Sequence, residues 1–456
     1  MITYQSQQEE RYMRLTTAPL IPLLIKMAIP TMIGMMVSTV YSMSDTYFVG
    51  RLNRTDWTAA IGVVFSFLSI IQAVGFWFGY GSGNYIARQL GKQNKEEAEQ
   101  MAVTGFVFSL VAGIIIMIFS FIFIKPLALL LGAGVTEEML SASLSYLKII
   151  IFSIPFMLGT NVLYNQLRLQ GNAKDGMIGL LIGMILNMIL DPIFILIMNW
   201  NVAGAAMATC IGQIAGFVIL LYLVGKHGNV PIRFFRSRIR FNYLFEILAG
   251  GAPNFCRQGI SSCSNILLNQ AAGLYGSGAV AAIAITSRIL TMGYALVIGF
   301  GQGFQPICAM NYGAKNYKRV KKAFLYEWII ATAFLIVTSA VIYYVAEPIT
   351  GLFTNKQEIL EISESILRAQ CLVWPFMGFY VLIGMLLQNI GRFLEATLVT
   401  ISENGIFFIP AILILPRIWG LSGIIWAKPA AGIGALLFSA MLGIKTWKKY
   451  LTSRES

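Results

Sequence analysis

Residues 105–124 read GFVFSLVAGIIIMIFSFIFI. They carry no charge and show no alternation of period two. A helix rises about 1.5 Å per residue, so a run of this length covers the ~30 Å hydrocarbon core of a bilayer. In lipid a helix satisfies its own backbone hydrogen bonds, whereas an unpaired strand cannot. The pattern recurs along the chain. In the first half, apolar runs cover residues 20–49, 58–83, 101–124, 144–167, 176–198 and 202–224. In the second half they cover 244–273, 279–308, 323–345, 363–388, 394–415 and 420–443. Of 456 residues, 57% are hydrophobic and 12% charged, and the mean hydropathy is +0.72. The expected fold is all-α: a polytopic membrane protein with twelve transmembrane helices in two pseudo-symmetric six-helix bundles.

The formal charge of +13 points to membrane topology rather than to nucleic acid. Lys and Arg gather on the cytoplasmic side of membrane proteins, where anionic lipid also favours them. Outside the spans, 22 fall on the side that bears both termini, among them Arg168 and the Lys315–Lys322 cluster, against five on the other. Both termini are therefore expected in the cytoplasm, with the chain crossing the plasma membrane many times. The basic stretch 225–243 divides an N-terminal lobe (1–224) from a C-terminal lobe (244–456). The polar first nineteen residues lack the apolar core of a signal peptide.

The two lobes repeat each other. Gly79-Tyr80-Gly81-Ser82-Gly83 recurs as Gly299-Phe300-Gly301-Gln302-Gly303, and Gly91-Lys92-Gln93-Asn94 as Gly313-Ala314-Lys315-Asn316. Pro30 pairs with Pro253, Gly171 with Gly391, Trp200 with Trp419 and Gly204 with Gly423. Six crossings per half make this a parallel repeat, related by an axis along the membrane normal. That arrangement implies a cavity between halves that open alternately to each side. The glycines are read as close-packing positions for helices, not as a dinucleotide fingerprint, because no strand precedes them. No Gly-x-x-x-x-Gly-Lys-Ser/Thr loop is present, so ATP is not expected to drive the chain. Five cysteines in apolar segments read as packing residues. The single histidine, His227, lies in the linker, and no nucleophile–base pair or metal cluster can be assembled. The chain is not expected to be an enzyme or to hold a cofactor.

Ionisable groups within spans are costly unless they face water or a partner, and so mark function. In the first half two carboxylates stand out, Asp45 and Asp191, six to eleven ångströms below the outer helix ends by the ~1.5 Å rise. Asn187, one turn from Asp191, shares its face, and Thr209 lies at similar depth. Together these oxygens form a candidate cage for Na⁺, or a proton site. Pro30 and Pro192 each remove a helix hydrogen bond, which makes them candidate hinges. In the second half the offset of 219 set by Trp419 and Gly423 puts Lys428 where the first half has Thr209. Glu403 is its expected partner, and Arg257 and Arg288 are further charges.

Pro30, the run Asp45-Thr46-Tyr47-Phe48-Val49-Gly50, Asn187 through Pro192, Ala203-Gly204-Ala205-Ala206 before Thr209, and the twelve-span duplication together resemble the multidrug and toxic compound extrusion (MATE) family. The resemblance implies antiport by alternating access. Amphipathic, often cationic compounds leave against inward Na⁺ or H⁺, with no other cofactor. It implies a coupling site at Asp45, Asn187, Asp191 and Thr209, and polar cavity residues at Asn161 and Asn165. Tyr41 and Met36 would line the same cavity or serve as packing. The partners implied are a small-molecule substrate and the bilayer, and the expected unit is a monomer. Some relatives carry cation-binding carboxylates on the seventh and tenth helices. Here those helices offer Arg257, Ser261, Ser262 and Gln388 instead. The alternative reading is a flippase or exporter of a lipid-linked or anionic substrate with the same architecture, favoured by Arg257, Arg288 and Lys428 and opposed by Asp45 and Asp191.

Overall fold

The computed structural model describes residues 4–50, 54–227, 229–232 and 239–452, with the side chains of 4–5, 40–47 and 50 outside that description. Among the described residues there is no strand. The first half comprises α1 (Tyr4–Thr17), α2 (Leu20–Gly50), α3 (Thr55–Gly91), α4 (Lys95–Ile122), α5 (Ile124–Leu130), α6 (Glu137–Ile150), α7 (Ile154–Leu169), α8 (Ala173–Pro192) and α9 (Asn201–Val224). The second comprises α10 (Asn242–Gly273), α11 (Ser277–Gly313), α12 (Tyr317–Tyr344), α13 (Ala346–Gly351), α14 (Gln357–Asn389), α15 (Phe393–Ile401), α16 (Phe408–Trp419) and α17 (Leu421–Thr446). Short connecting turns join α6 to α7 and α15 to α16 into continuous spans, giving six crossings per half. Eleven of the twelve are long and apolar enough to cross a membrane. The exception is α10, whose middle carries Asn254, Arg257, Gln258, Ser261, Ser264 and Asn265. That polar face proves to line a cavity.

The chain forms two compact units, Met1–Thr17 with Ile29–Gly251, and Ala18–Ala28 with Ala252–Ser456. In the first, Tyr146, Leu147 and Ile150 of α6 pack with Val64 and Ile71 of α3. In the second, small residues of α10 and α11 (Ala272, Ala279, Ala282) close on Phe408 and Ala427. Helix α1, which hydropathy does not mark, is fastened within its unit. Arg11 donates to Asn229 Oδ1 at 2.9 Å and Arg14 to the Gly171 carbonyl at 3.4 Å.

Duplication is visible in the backbone itself. Helices α3 and α11 are each 37 residues long, and α4 and α12 each 28. Asn94 and Asn316 cap α4 and α12 in the same way, each accepting the amide three residues on at 3.2 Å, which satisfies an otherwise orphaned donor. Gln93 and Lys315 both have φ of 60°, and Gly171 and Gly391 both have 84°. The same comparison corrects one alignment. Gly79 packs on Asn165 and Gly301 on Met385, while Gly81 meets the Ile247 backbone and Gly303 the Ala28 backbone. Gly79 therefore corresponds to Gly301, not Gly299. A single register of 222 runs through two helices of equal length.

Candidate cation site and a polar cavity

Helices α8 and α9 touch backbone to backbone. A Cβ on Gly183 would lie 2.6 Å from the Gly212 carbonyl oxygen, and one on Gly212 would lie 2.6 Å from that of Gly183. Gly216 continues the stripe against Gly179. Small residues let helices approach this closely in a membrane, so polar side chains one turn away are brought within hydrogen-bonding distance. Asn187 Nδ2 donates to Thr209 Oγ1 at 3.1 Å and to Asp191 Oδ1 at 3.4 Å. All three side chains are buried, with Asp191 at 0% exposure. The Asn187 Oδ1 is buried and makes no hydrogen bond. An amide oxygen, a hydroxyl and a carboxylate in one cluster are hard oxygen donors of the kind that bind hard cations.

Pro192 ends α8, and the chain continues as a π-turn over Ile193–Ile197. Proline lacks the N–H that would bond the Met188 carbonyl, and the wider turn follows directly. Such π-bulges frequently mark functional sites. Pro30 lies inside α2, which runs through it unbroken. The side chains of Asp45 and Tyr41 lie outside the described residues. Met36 is 45% exposed on α2.

Asn161 and Asn165 lie elsewhere, in the seam between α7 and α3. Asn161 donates to the Met157 carbonyl at 2.9 Å, and Asn165 donates to the Asn161 carbonyl at 2.8 Å. Asn165 Oδ1 in turn accepts from Arg168 at 3.0 Å. With Asn165 fully buried and its amide so engaged, it packs helices together instead of lining open space. Arg168, counted from sequence among the loop charges, is also fully buried. Its guanidinium stands 5.0 Å from the Tyr80 ring and 6.0 Å from the Tyr164 ring.

In the second unit the charges converge on a cavity of about 180 Å³. Its wall includes Arg257, Glu403, Asn404 and Lys428, and its apolar side Leu290, Trp374 and Met377. A smaller pocket sharing Arg257, Tyr294 and Glu403 extends from it. Arg257 donates to Tyr294 Oη at 3.1 Å and to Asn254 Oδ1 at 3.4 Å. Glu403 is the second residue of a π-turn, Ser402–Phe407, and Ser264 Oγ of α10 donates to the Asn404 carbonyl within that turn. Lys428 and Glu403 both line this cavity, and among the described residues no ion pair of 4.0 Å or less joins them. The two expected partners therefore face one cavity instead of closing a direct ion pair. Gly204 and Gly423 each crowd a carbonyl-bearing backbone at the end of the preceding span, so Thr209 and Lys428, five residues further on, hold equivalent places. Arg288 is exposed and does not line this wall.

One buried acid escaped the sequence reading. Glu327 on α12 has 0% exposure, and neither carboxyl oxygen has a partner. In the 222 register it stands where the first half has Gly105. A lone carboxylate within the run 323–345 was the available signal.

The profile of the MatE family matches residues 30–193 and 253–413, one stretch in each half, starting at the paired prolines. The chain belongs to the multidrug and toxic compound extrusion family of secondary transporters. Among its MATE relatives, Multidrug export protein MepA of Staphylococcus aureus is 28% identical over 442 residues, covering 95% of this chain and 97% of that one. A crystal structure of MATE in the bent conformation superposes with a TM-score of 0.91 at 25% identity, over 98% of this chain and 99% of that one. The outward-facing conformation of a multidrug resistance MATE family transporter of the MOP superfamily gives 0.88 at 25% identity, over 95% and 96%. This MATE transporter thus shares at least 95% of its length with each of them.

Proposed function

We propose that the protein is a cation-coupled antiporter of the plasma membrane, with both termini cytoplasmic. It exports amphipathic, cationic organic compounds by alternating access as Na⁺ or H⁺ enters. The observation that carries this reading is the buried Asn187–Asp191–Thr209 cluster, in which an unpartnered amide oxygen adjoins a carboxylate. Buried polar groups without a partner are costly, and a small cation would satisfy them. Asp45 is proposed to complete the cage from α2. The name of the Staphylococcus aureus relative, a multidrug export protein, supports the substrate class.

The test is flux of a fluorescent organic cation in proteoliposomes, with Na⁺ and pH gradients imposed separately and ATP absent. Accumulation driven by one of these gradients is expected. Flux indifferent to both would overturn the coupling.

A further inference from the structure

We infer that one end of the second unit is a binding surface for anionic phospholipid, built where the start of α12 meets the end of α17. On α12, Lys318, Lys322, Leu325 and Ile329 are all exposed and follow one another at spacings of four, three and four. On α17 and the π-turn that ends it, Trp447–Thr452, the exposed residues Leu437, Met441, Ile444 and Lys448 repeat that spacing. Such a spacing puts each set on a single helical stripe. Each stripe is apolar along the span and basic at its end. In a spanning helix an exposed apolar stripe lies against acyl chains, and lysines at its end reach out to the headgroups.

The two basic ends are fastened together. The Phe324 and Trp447 rings meet edge to face with centroids 5.7 Å apart, and α12 and α17 both pack on α14. Leu451 is fully buried, and the Tyr450 ring has the Arg392 guanidinium 3.7 Å and the Lys449 ammonium 5.5 Å from its centroid. Lys448 and Lys449 therefore stand on a folded surface and not on a loose tail. The charge is of one sign: over residues 317–326 and 433–452 every charged residue is basic. Lys318, Lys322, Lys445 and Lys448 are all exposed and form no ion pair among the described residues. The half-buried Glu395, one turn after Arg392, is the carboxylate that α15 brings to this end. Clusters of about four to eight basic residues at the ends of spanning helices recognise anionic headgroups, and rings such as those of Trp447 and Tyr450 favour the same interface. The phosphate of an anionic lipid supplies the missing charge, and its chains cover Leu325, Ile329, Met441 and Ile444. The surface goes beyond the transport reading, because it concerns the bilayer and not the exported compound or the coupling cation.

The experiment reconstitutes the full-length protein in phosphatidylcholine vesicles with a trace of spin-labelled phosphatidylglycerol or, separately, of spin-labelled phosphatidylcholine. Electron paramagnetic resonance reads how much of each label is held at the protein. Phosphatidylglycerol is expected to associate about tenfold more strongly. The combined changes Lys318→Gln, Lys322→Gln, Lys445→Gln and Lys448→Gln should remove most of that preference, and arginine at the same four positions should keep it. The same loss of charge at four exposed lysines of the first unit, Lys92→Gln, Lys125→Gln, Lys174→Gln and Lys226→Gln, should leave most of it. Inorganic phosphate, which has the charge without the chains, should not displace the labelled lipid. Equal association of the two lipids with the unmodified protein would overturn the proposal, even if the fourfold variant failed to fold. So would a preference that survives the four changes in a folded protein, or that the first-unit changes remove equally. Displacement by inorganic phosphate would reduce the surface to a general anion site and overturn the lipid assignment. No gradient is imposed, so failure here leaves the transport reading standing, and failed flux leaves this surface standing.

Discussion

Asn187 and Thr209 meet amide nitrogen to hydroxyl oxygen at 3.1 Å because their helices touch at Gly183 and Gly212, one turn away. The contact between two polar side chains is thus set by two residues that have no side chain. Gly212→Ala places a methyl 2.6 Å from a backbone carbonyl, and overpacking of this kind costs about 1–3 kcal/mol. It should lower the melting temperature in detergent and reduce gradient-driven flux together. Gly62→Ala, where nothing lies within 4 Å, should leave both unchanged or raise stability slightly.

Thr209 supplies the acceptor for the Asn187 amide. Thr209→Val keeps the shape and removes the oxygen, stranding a buried donor at a cost of about 1–3 kcal/mol. Coupled flux should fall by about tenfold, since 1.4 kcal/mol is one decade. Thr209→Ser should retain most of it. Equal flux in the two variants would show that the hydroxyl is not part of the site.

Arg168 is buried against the rings of Tyr80 and Tyr164 and bonded to Asn165. Lysine keeps the charge but not the planar fork or the stacking surface. Desolvated cation–π contacts contribute about 2 kcal/mol or more, so Arg168→Lys should lower thermal stability clearly. Cation selectivity, which the proposed function assigns to α8 and α9, should be unchanged, as measured by the gradient that drives flux.

Glu327 is a fully buried carboxyl whose oxygens have no partner. Replacing an unpartnered polar group by an apolar one of similar volume removes a penalty of about 1–3 kcal/mol. Glu327→Leu should therefore raise the melting temperature. Because coupling is assigned to the first half, Glu327→Gln should retain gradient-driven export. Loss of export in that variant would reveal a second coupling site on α12.

The twelve crossings were legible because burial in lipid demands long apolar runs, and nothing else in the sequence imitates them. α10 was harder, since the residues that line its cavity are the same ones that lower its hydropathy. Asn187, Asp191 and Thr209 could be placed at one depth from helical rise, and Asn187 and Asp191 on one face from their spacing of four. Their contact depends on backbone approach at Gly183 and Gly212, which no depth argument supplies. The Gly79–Gly83 motif was matched two residues out of register for a simple reason: alternating glycines look the same after a shift of two. In sequence Arg168 reads as a loop charge because it precedes Gly171 by one turn, and only tertiary packing shows that the last turn of α7 is buried.

The central claim is that Asp191 carries the coupling charge, and one comparison tests it most directly. Wild type and Asp191→Asn are reconstituted in parallel, and uptake of a fluorescent organic cation is recorded under whichever single gradient, Na⁺ or H⁺, drives the wild type. Asparagine preserves the size of the side chain and its capacity to accept a hydrogen bond, but removes the ionisable group, which lies at 0% exposure beside Asn187. The account predicts that gradient-driven accumulation falls to the level of empty liposomes while thermal stability in detergent stays close to wild type. Wild-type accumulation by Asp191→Asn under the same gradient would contradict it.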